Sequence, residues 1–295
     1  MLEYLEDLCH YKRALGISER TINNLILGIR SFIKWLPDDV TGPETLTSHH
    51  LVRYQLHLAN RTTPKGFPLM ASTINSAVWA VRSFLRYLHR EDLVAHIKTI
   101  KLPRNLPTSV LTHDEMTRLL TYVVPNTDKG MRDRTILELL YSTGIRVGEL
   151  SRLSVRDVNL NRQELRVHGK GDKERLVPVG ATALRYLETY LKAVRPLWRG
   201  SRQSEALFLN NSGTPMRIYS VQRLLKKIRE QVFPDIQVTP HTFRRSCTTE
   251  MVRANANLYH VKELLGHESL ETLKAYTKLN IADLKKTHAK CHPRG

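Results

Sequence analysis

A histidine and an arginine spaced three residues apart follow a helix-start signal in the last third of the sequence. His241 and Arg244 lie in segment 239–244, TPHTFR. Proline favours the first position of a helix, and side chains three apart on a helix project from the same face. His241 would then lie in the first turn, where backbone N–H groups favour an anion. The pattern predicts two converging donors for an oxyanion.

Two other basic residues could take part in catalysis but also have simple structural explanations. Arg146 lies in segment 142–150, STGIRVGEL, and Lys170 lies between two glycines, which are expected to give it mobility. Taken singly, Arg146 is also explained as an ion-pair partner of Glu149, three residues on, and Lys170 as a solvated charge at a hairpin tip. Neither residue alone indicates catalysis.

A histidine and a tyrosine complete the candidate set near the C-terminal end. His267 follows Gly266 directly, and Tyr276 is the possible nucleophile farther along. Taken singly, His267 and also His241 are explained as hydrogen-bonded structural histidines, and Tyr276 as a half-buried core residue. The set as a whole is much harder to explain as coincidence.

The sequence predicts helices and one hairpin around these residues, in the second part of the chain. Two short strands are predicted at 164–168 and 175–179, around a lysine-bearing turn at 169–173. Apolar residues at three- and four-residue spacing predict helices over 131–142, 147–153, 181–195, 218–231, 241–253, 258–265 and 270–277.

The first hundred residues read as a small four-helix bundle. The first stretch carries Leu5, Leu8, Tyr11 and Leu15 at helical spacing and stops at Gly16. Ser18 is predicted to cap the second helix. The third is expected from about 48 to 58 and the fourth from near 72, closing the bundle.

A polar, proline-containing segment separates the two parts. Residues 98–108 read KTIKLPRNLPT, and prolines there block regular structure. A capping-box pattern then begins at Thr112. We therefore expect an N-terminal helical domain over 1–97, a linker over 98–107 and a second domain over 108–295.

Composition favours a polyanionic partner. The chain has 295 residues with 46 Lys and Arg against 28 Asp and Glu, a formal charge of +18. Such a surface attracts nucleic acid. Only three cysteines are present, too few and too scattered for a disulfide framework or a thiolate zinc site. With no leader pattern and no long apolar stretch, we expect a cytoplasmic, nucleoid-associated protein.

The ordered series Arg146, Lys170, His241-x-x-Arg244, Gly266-His267 and Tyr276 resembles the active-site signature of the tyrosine recombinase (phage integrase) family, most closely its Xer-like branch. Segments TGIRVGEL, HGKGDKERLVPV and LLGHESLETLKAYTKL also look like family motifs. The resemblance implies a mainly α fold, with an N-terminal SAM-like four-helix DNA-binding bundle and a mixed α/β catalytic domain with a small antiparallel sheet. Residues 245–247, RSC, depart slightly from close relatives.

The resemblance implies that Tyr276 attacks a DNA phosphorus and forms a 3′-phosphotyrosyl intermediate. Arg146 and Arg244 would bind the non-bridging phosphate oxygens, with Glu149 orienting an arginine. Lys170 would protonate the leaving 5′-oxygen. His267 would donate a hydrogen bond to the phosphate, and His241 would serve as acid or base. No cofactor and no metal are expected.

The expected partner is double-stranded DNA with a specific recombination site, bound by a tetramer on two sites or together with a related recombinase. A helix after Tyr276, with Ile281 and Leu284 to bury, is expected to dock on a neighbouring protomer or on its own domain. Candidate DNA contacts are Arg82, Arg86, Lys173, Arg223, Lys226 and Lys227, which a solvated basic face explains equally well.

Two other functions remain open on the sequence. A type IB topoisomerase uses a similar set of side chains to nick and reseal one strand, whereas the short helical first domain favours a recombinase. A DNA-binding regulator could keep the fold without the chemistry. The intact catalytic set argues against the regulator, because binding alone needs no nucleophile.

Overall fold

The computed structural model of the chain describes residues 1–101, 110–169 and 173–266. The chain divides into two compact units, Met1–Asn105 and Leu106–Gly295. Both are mainly helical, and the second contains a small antiparallel sheet, which confirms the predicted fold class. None of the helices in these three ranges is long and apolar enough to span a membrane.

In the described residues, the α-helices of the first unit are the four predicted long ones and one further short one. They are α1 Leu2–Ala14, α2 Glu19–Trp35, α3 Ser48–Asn60, α4 Ala71–Tyr87 and α5 Glu91–Val94. Ser18 caps α2, as predicted, because its hydroxyl accepts a hydrogen bond from the Thr21 N–H at 3.4 Å. The core lies between helices that each bury one apolar face.

The apolar residues that predicted α1 differ in their burial. Leu5 and Leu8 are buried against α2 and α4, but Tyr11 is 50% exposed, and Leu15 is 55% exposed beyond the end of the helix. Cys9 is buried beside Leu8. The side of α1 that packs on its neighbours therefore includes only some of the apolar residues at helical spacing.

Two side-chain amides hold the chain that follows α5. Gln55 donates to the Lys98 carbonyl at 2.9 Å and accepts from the Lys98 N–H at 2.8 Å. Asn75 donates to the Ile100 carbonyl at 2.8 Å and accepts from the Ile100 N–H at 2.7 Å. The first residues of the predicted linker are thus bonded to α3 and α4. The predicted limits at 97 and 108 remain a prediction.

The second unit follows the predicted helical pattern closely. Its helices are α6 His113–Tyr122, α7 Asp128–Thr143, α8 Val147–Leu150, α9 Ala181–Thr189, α10 Ile218–Val232, α11 Pro240–Arg253 and α12 Leu258–Leu265. Thr112 forms the predicted capping box with Glu115 at the start of α6. The stretch after α9 continues as a π-helical segment, Tyr190–Val194, rather than as the predicted α-helix to 195. The predicted helix at 270–277 lies outside the described residues.

Helix α7 is buried on almost every side, so it carries charged residues into the core. Arg132 donates to Asp133 at 2.6 Å and to the Leu209 carbonyl, while Arg134 donates to Glu138 at 2.8 Å. Buried charges are tolerated when they are paired and hydrogen-bonded, as these are. The helix ends at Gly144, which has a left-handed φ of 60°.

The sheet consists of β1 Val158–Asn159, β2 Glu164–His168 and β3 Glu174–Pro178 in the order β1-β2-β3. The β2–β3 hairpin was predicted, whereas the two-residue strand β1 was not. In the hairpin, Leu165 of β2 pairs with Val177 of β3, and Val167 pairs with Arg175. Since paired residues share a face, Arg175 lies on the side of the sheet that faces the core.

Candidate active site

Helix α11 begins as the sequence predicts and presents both of its candidate donors. The Thr239 hydroxyl accepts from the Thr242 N–H, and Pro240 occupies the first turn. His241 is exposed in that turn. Arg244, one turn farther, is only 6% exposed, so the two side chains occupy very different environments.

Arg244 joins α11 to the ends of two other helices. Its two terminal nitrogens donate to the Gly144 carbonyl at 2.8 Å and to the Leu265 carbonyl at 2.7 Å. A Cβ atom at Gly144 would come within 2.7 Å of a Leu265 methyl group, so glycine is required there by both its φ and its close contact. The guanidinium is therefore fixed between α7 and α12.

Arg146 lies at the N-terminal end of α8 and is more open to solvent. Its backbone N–H donates to Glu149 Oε2 at 2.8 Å, and its guanidinium donates to Glu149 Oε1 at 2.9 Å and to the Gly266 carbonyl at 3.1 Å. The side chain remains 40% exposed. An arginine held this way can still receive a ligand from solvent.

Glu149, which is expected to orient an arginine, contacts Arg146 and has a second arginine partner. Arg175 donates to its Oε1 at 3.1 Å and to its Oε2 at 2.9 Å. Burial acts to raise the pKa of Glu149, but hydrogen bonds from Arg175 and Arg146 outweigh burial and keep that pKa below its ordinary value. Glu149 is therefore a buried carboxylate that holds its negative charge.

Three arginines bind three successive carbonyl groups at the end of α12. Arg175 donates to Leu264, Arg244 to Leu265 and Arg146 to Gly266. The last carbonyls of a helix lack partners within the helix and carry its negative dipole end, so cations are favourable there. These contacts place Arg146 and Arg244 at one location, directly before His267 in the sequence.

The pKa of His241 lies below its ordinary value. Partial desolvation is the main cause, and the positive charges of Arg245, Arg244 and Arg146 lower it further. The imidazole is therefore neutral at pH 7 and can accept a proton.

The structure brings together Arg146, Glu149, His241 and Arg244 from the predicted set. Lys170, His267 and Tyr276 lie outside the described residues. The candidate DNA-contact residues on α10, Arg223, Lys226 and Lys227, are exposed on the side opposite its buried apolar residues. Lys173 and Arg86 are exposed, and Arg82 is half-buried.

Sequence reasoning missed Arg175. The signal was available in the strand alternation, because Arg175 shares parity with the buried Val177 and pairs with the buried Val167. An arginine on the inward face of a strand needs a carboxylate or carbonyl partner. The three-residue spacing from Arg146 drew attention to Glu149, but nothing drew attention to its second partner.

Comparison with known proteins identifies the family of both units. Residues 109–282 match the model of the phage integrase family, and residues 4–94 match its N-terminal SAM-like domain. The tyrosine recombinase XerD of Oceanobacillus iheyensis is 34% identical over 309 residues, covering 100% of both chains. Sequence similarity therefore extends through both domains.

Solved structures show the same fold. The XerH site-specific recombinase bound to its difH substrate aligns with a TM-score of 0.73 at 22% identity, covering 97% of this chain and 83% of that one. A lambda integrase dimer bound to a COC′ core site aligns with a TM-score of 0.73 at 19% identity, covering 95% and 99%. The chain belongs to the phage integrase family and is an enzyme, a tyrosine-type site-specific DNA recombinase of the Xer-like branch.

Proposed function

We propose that this recombinase exchanges strands between two specific duplex sites through a covalent 3′-phosphotyrosyl intermediate formed by Tyr276. The phenol oxygen of Tyr276 attacks the phosphorus, the bond from phosphorus to the 5′-oxygen breaks, and the 5′-hydroxyl leaves. Attack of a 5′-hydroxyl from the partner strand reverses these steps and releases the tyrosine. One phosphate ester replaces another, so no energy source is consumed.

The observation that carries the proposal is the convergence of Arg146 and Arg244 on neighbouring carbonyls of Leu265 and Gly266. Two guanidiniums at one location match the two non-bridging oxygens of a phosphodiester, on which negative charge develops during attack. Arg244 is fixed by burial, and Arg146 is exposed enough to meet the phosphate. This arrangement supports an anion site that is preorganised for the transition state.

Proton transfers are assigned to three side chains. Lys170 gives a proton to the leaving 5′-oxygen, since an unprotonated alkoxide leaves poorly. Tyr276 must lose its own proton, because a tyrosine of ordinary pKa, about 10, is almost entirely neutral at pH 7. His241, neutral at that pH, is the proposed acceptor. His267 donates a hydrogen bond to the same phosphate.

Charge distribution supports contact with duplex DNA by both units. Residues 45–90 contain six Lys and Arg and no Asp or Glu, and Arg82 and Arg86 lie in this acid-free stretch. In the second unit, Arg223, Lys226, Lys227 and Lys173 are exposed cations. Each would bind backbone phosphate and position the protein without reading bases.

We further propose that the active assembly is a tetramer on two DNA sites, in which the segment after Tyr276 docks on a neighbouring protomer. The partner protomers are copies of this chain or a related recombinase. Action on chromosomal or element DNA in the cytoplasm follows from the same proposal. A covalent intermediate confined to such an assembly prevents release of broken ends.

A duplex nicked close to the cleavage position tests the proposed chemistry. Cleavage then releases a short fragment that diffuses away, so the covalent protein–DNA adduct accumulates. We expect the adduct to form in EDTA and to be destroyed by protease. Tyr276→Phe removes only the nucleophilic oxygen, so it should abolish the adduct while duplex binding persists.

Adduct formation by Tyr276→Phe would refute the nucleophile, and no adduct from the unaltered chain on DNA that it binds specifically would favour a regulator. Relaxation of supercoiled DNA without site dependence would favour the topoisomerase alternative. Mapping the cleavage position on element-end or genomic DNA identifies the target and thereby distinguishes integration, excision, resolution and inversion.

A further inference from the structure

Arg175 occupies an unusual position for a cation. It lies on β3 opposite the buried Val167, next but one to the buried Val177, and only 14% of its side chain is exposed. Burying a charge is costly unless hydrogen bonds replace its water. The location therefore requires partners that the surrounding apolar side chains do not supply.

Those partners connect three separate elements. Arg175 Nε donates to the Leu264 carbonyl of α12 at 2.9 Å, and the terminal nitrogens donate to both oxygens of Glu149 on α8 at 3.1 and 2.9 Å. The planar fork of a guanidinium makes this bidentate contact, whereas a lysine ammonium does not. The side chain joins the hairpin, α8 and α12.

The orientation of Arg146 depends on the same carboxylate. Glu149 Oε1 accepts from the Arg146 guanidinium at 2.9 Å and from Arg175 at 3.1 Å. Glu149 Oε2 accepts from the Arg146 backbone N–H at 2.8 Å and from Arg175 at 2.9 Å. With both oxygens occupied from the Arg175 side, the carboxylate plane is fixed, and Arg146 is fixed with it.

We propose that Arg175 is a positioning residue for strand exchange, which holds Arg146 in the geometry that binds the scissile phosphate by fixing Glu149 and the end of α12. This inference rests on the proposed function, because it takes Arg146 to be a phosphate-binding residue. Arg175 itself does not touch the substrate. Its effect on the reaction passes through Arg146.

A double-mutant cycle on the nicked substrate tests this dependence. Arg175→Ala should lower the single-turnover cleavage rate about 100-fold, the size expected when a catalytic group is misplaced by about 1 Å. In the Arg146→Ala background, the same change should lower the rate less than threefold, because the group it positions is already gone. Arg175→Lys keeps the charge but lacks the fork, so it should resemble Arg175→Ala and serves in its place if the alanine variant does not fold.

Arg166 provides the matched control, since it lies on β2 of the same sheet but is 58% exposed. Arg166→Ala should cleave within about twofold of the unaltered chain. Equal losses from Arg175→Ala with and without Arg146, or full activity of a folded Arg175→Lys, would overturn the inference. An unreactive unaltered chain would overturn the proposed function and this inference with it.

A second readout separates positioning from general destabilisation. Replacing the scissile phosphate by methylphosphonate removes one negative oxygen, so the reaction depends less on Arg146. The rate penalties of Arg146→Ala and Arg175→Ala should therefore shrink together on methylphosphonate. A penalty of Arg175→Ala that stays unchanged while that of Arg146→Ala shrinks would overturn the inference.

Discussion

Arg244 donates a hydrogen bond to the backbone carbonyl of Leu265 at 2.7 Å, so a side chain on α11 binds the C-terminal end of α12. Its other terminal nitrogen binds the Gly144 carbonyl at the end of α7. The same guanidinium is proposed to bind the scissile phosphate. Under the proposed function, one buried residue would serve both structural support and transition-state stabilisation.

The first prediction concerns the loss of that guanidinium. Arg244→Ala leaves two buried carbonyls without a partner, so the free energy of unfolding should fall by about 3 kcal/mol. Cleavage should fall about 100-fold or more, since a transition-state donor is lost. Urea denaturation and single-turnover cleavage measure the two effects. Unaltered turnover by Arg244→Ala would reject its role at the phosphate.

The second prediction concerns the titration of His241. Its pKa lies below the ordinary value of 6.5, with the charge of Arg245 as the largest electrostatic cause after desolvation. Arg245→Ala should therefore raise that pKa, as followed by the imidazole NMR signals. Arg253→Ala, at the 65% exposed far end of α11, should leave it unchanged. A pKa unaffected by Arg245→Ala would contradict this electrostatic cause.

The lowered pKa of His241 makes the folded protein less stable at acidic pH. A histidine with a lowered pKa in the folded state binds protons more weakly than the unfolded chain does. The contribution of His241 to stability is therefore fully present at pH values above 6.5, its ordinary pKa. That contribution is lost as the pH falls from 6.5 toward the lower pKa of the folded state. A base of this kind also sets an acid limb of the cleavage rate below pH 6.5.

The third prediction compares two glycines with similar backbone angles. Gly266 has a φ of 65°, and a Cβ there would lie 3.0 Å from the Arg175 guanidinium. Gly16 has a φ of 71° with no atom within 4 Å of its Cβ position. Gly16→Ala should cost about 1 kcal/mol from strain alone.

Gly266→Ala should cost more stability than Gly16→Ala and should also reduce cleavage, because Arg175 must move. Thermal denaturation and the covalent-adduct assay measure these effects. Equal losses of stability and unchanged cleavage in the two variants would show that the contact with Arg175 has no consequence.

The fourth prediction concerns binding to duplex DNA. Lys226 and Lys227 are exposed on α10, and each phosphate contact contributes about one unit to the slope of log affinity against log salt. Replacing both by alanine should reduce that slope by about two. Lys192→Ala, which removes a 68% exposed lysine paired with Glu188, should leave it unchanged. A double variant with an unchanged slope would exclude both lysines from the interface.

The fifth prediction concerns the chain that follows α5. Gln55→Ala and Asn75→Ala each remove two hydrogen bonds to the backbone of Lys98 or Ile100. At about 1 kcal/mol per bond, trypsin cleavage after Lys98 and Lys101 should become at least tenfold faster. Asn60→Ala, at the exposed end of α3, is the matched control. No acceleration in either variant would mean that the amides do not hold this segment.

Sequence patterns predicted elements whose residues interact locally. The caps at Ser18 and Thr112 involve partners three residues away, and the hairpin follows from strand alternation around a glycine-containing turn. The short helix α5 and the two-residue strand β1 were missed because neither is long enough to show a period. Tertiary packing, rather than local pattern, decides their conformation.

The candidate site was predicted in its residue types but not in its geometry. Residue order and a family resemblance selected Arg146, Arg244 and Glu149 together, and the structure places them near one another. Their common attachment to the end of α12 depends on contacts between residues distant in the sequence, such as Arg146 with Gly266. No period or short motif encodes such contacts, so strand alternation could place Arg175 on the buried face of the sheet but could not identify its partners.

The amides of Gln55 and Asn75 contact only the main chain of residues 98 and 100, as a neighbouring β-strand would. Main-chain atoms are the same for every amino acid except proline, which lacks the N–H that each amide accepts from. The two amides therefore place no demand on the side chains at 98 and 100, although Ile100 also packs against the core of this unit. A proline at either position is the substitution that this attachment forbids.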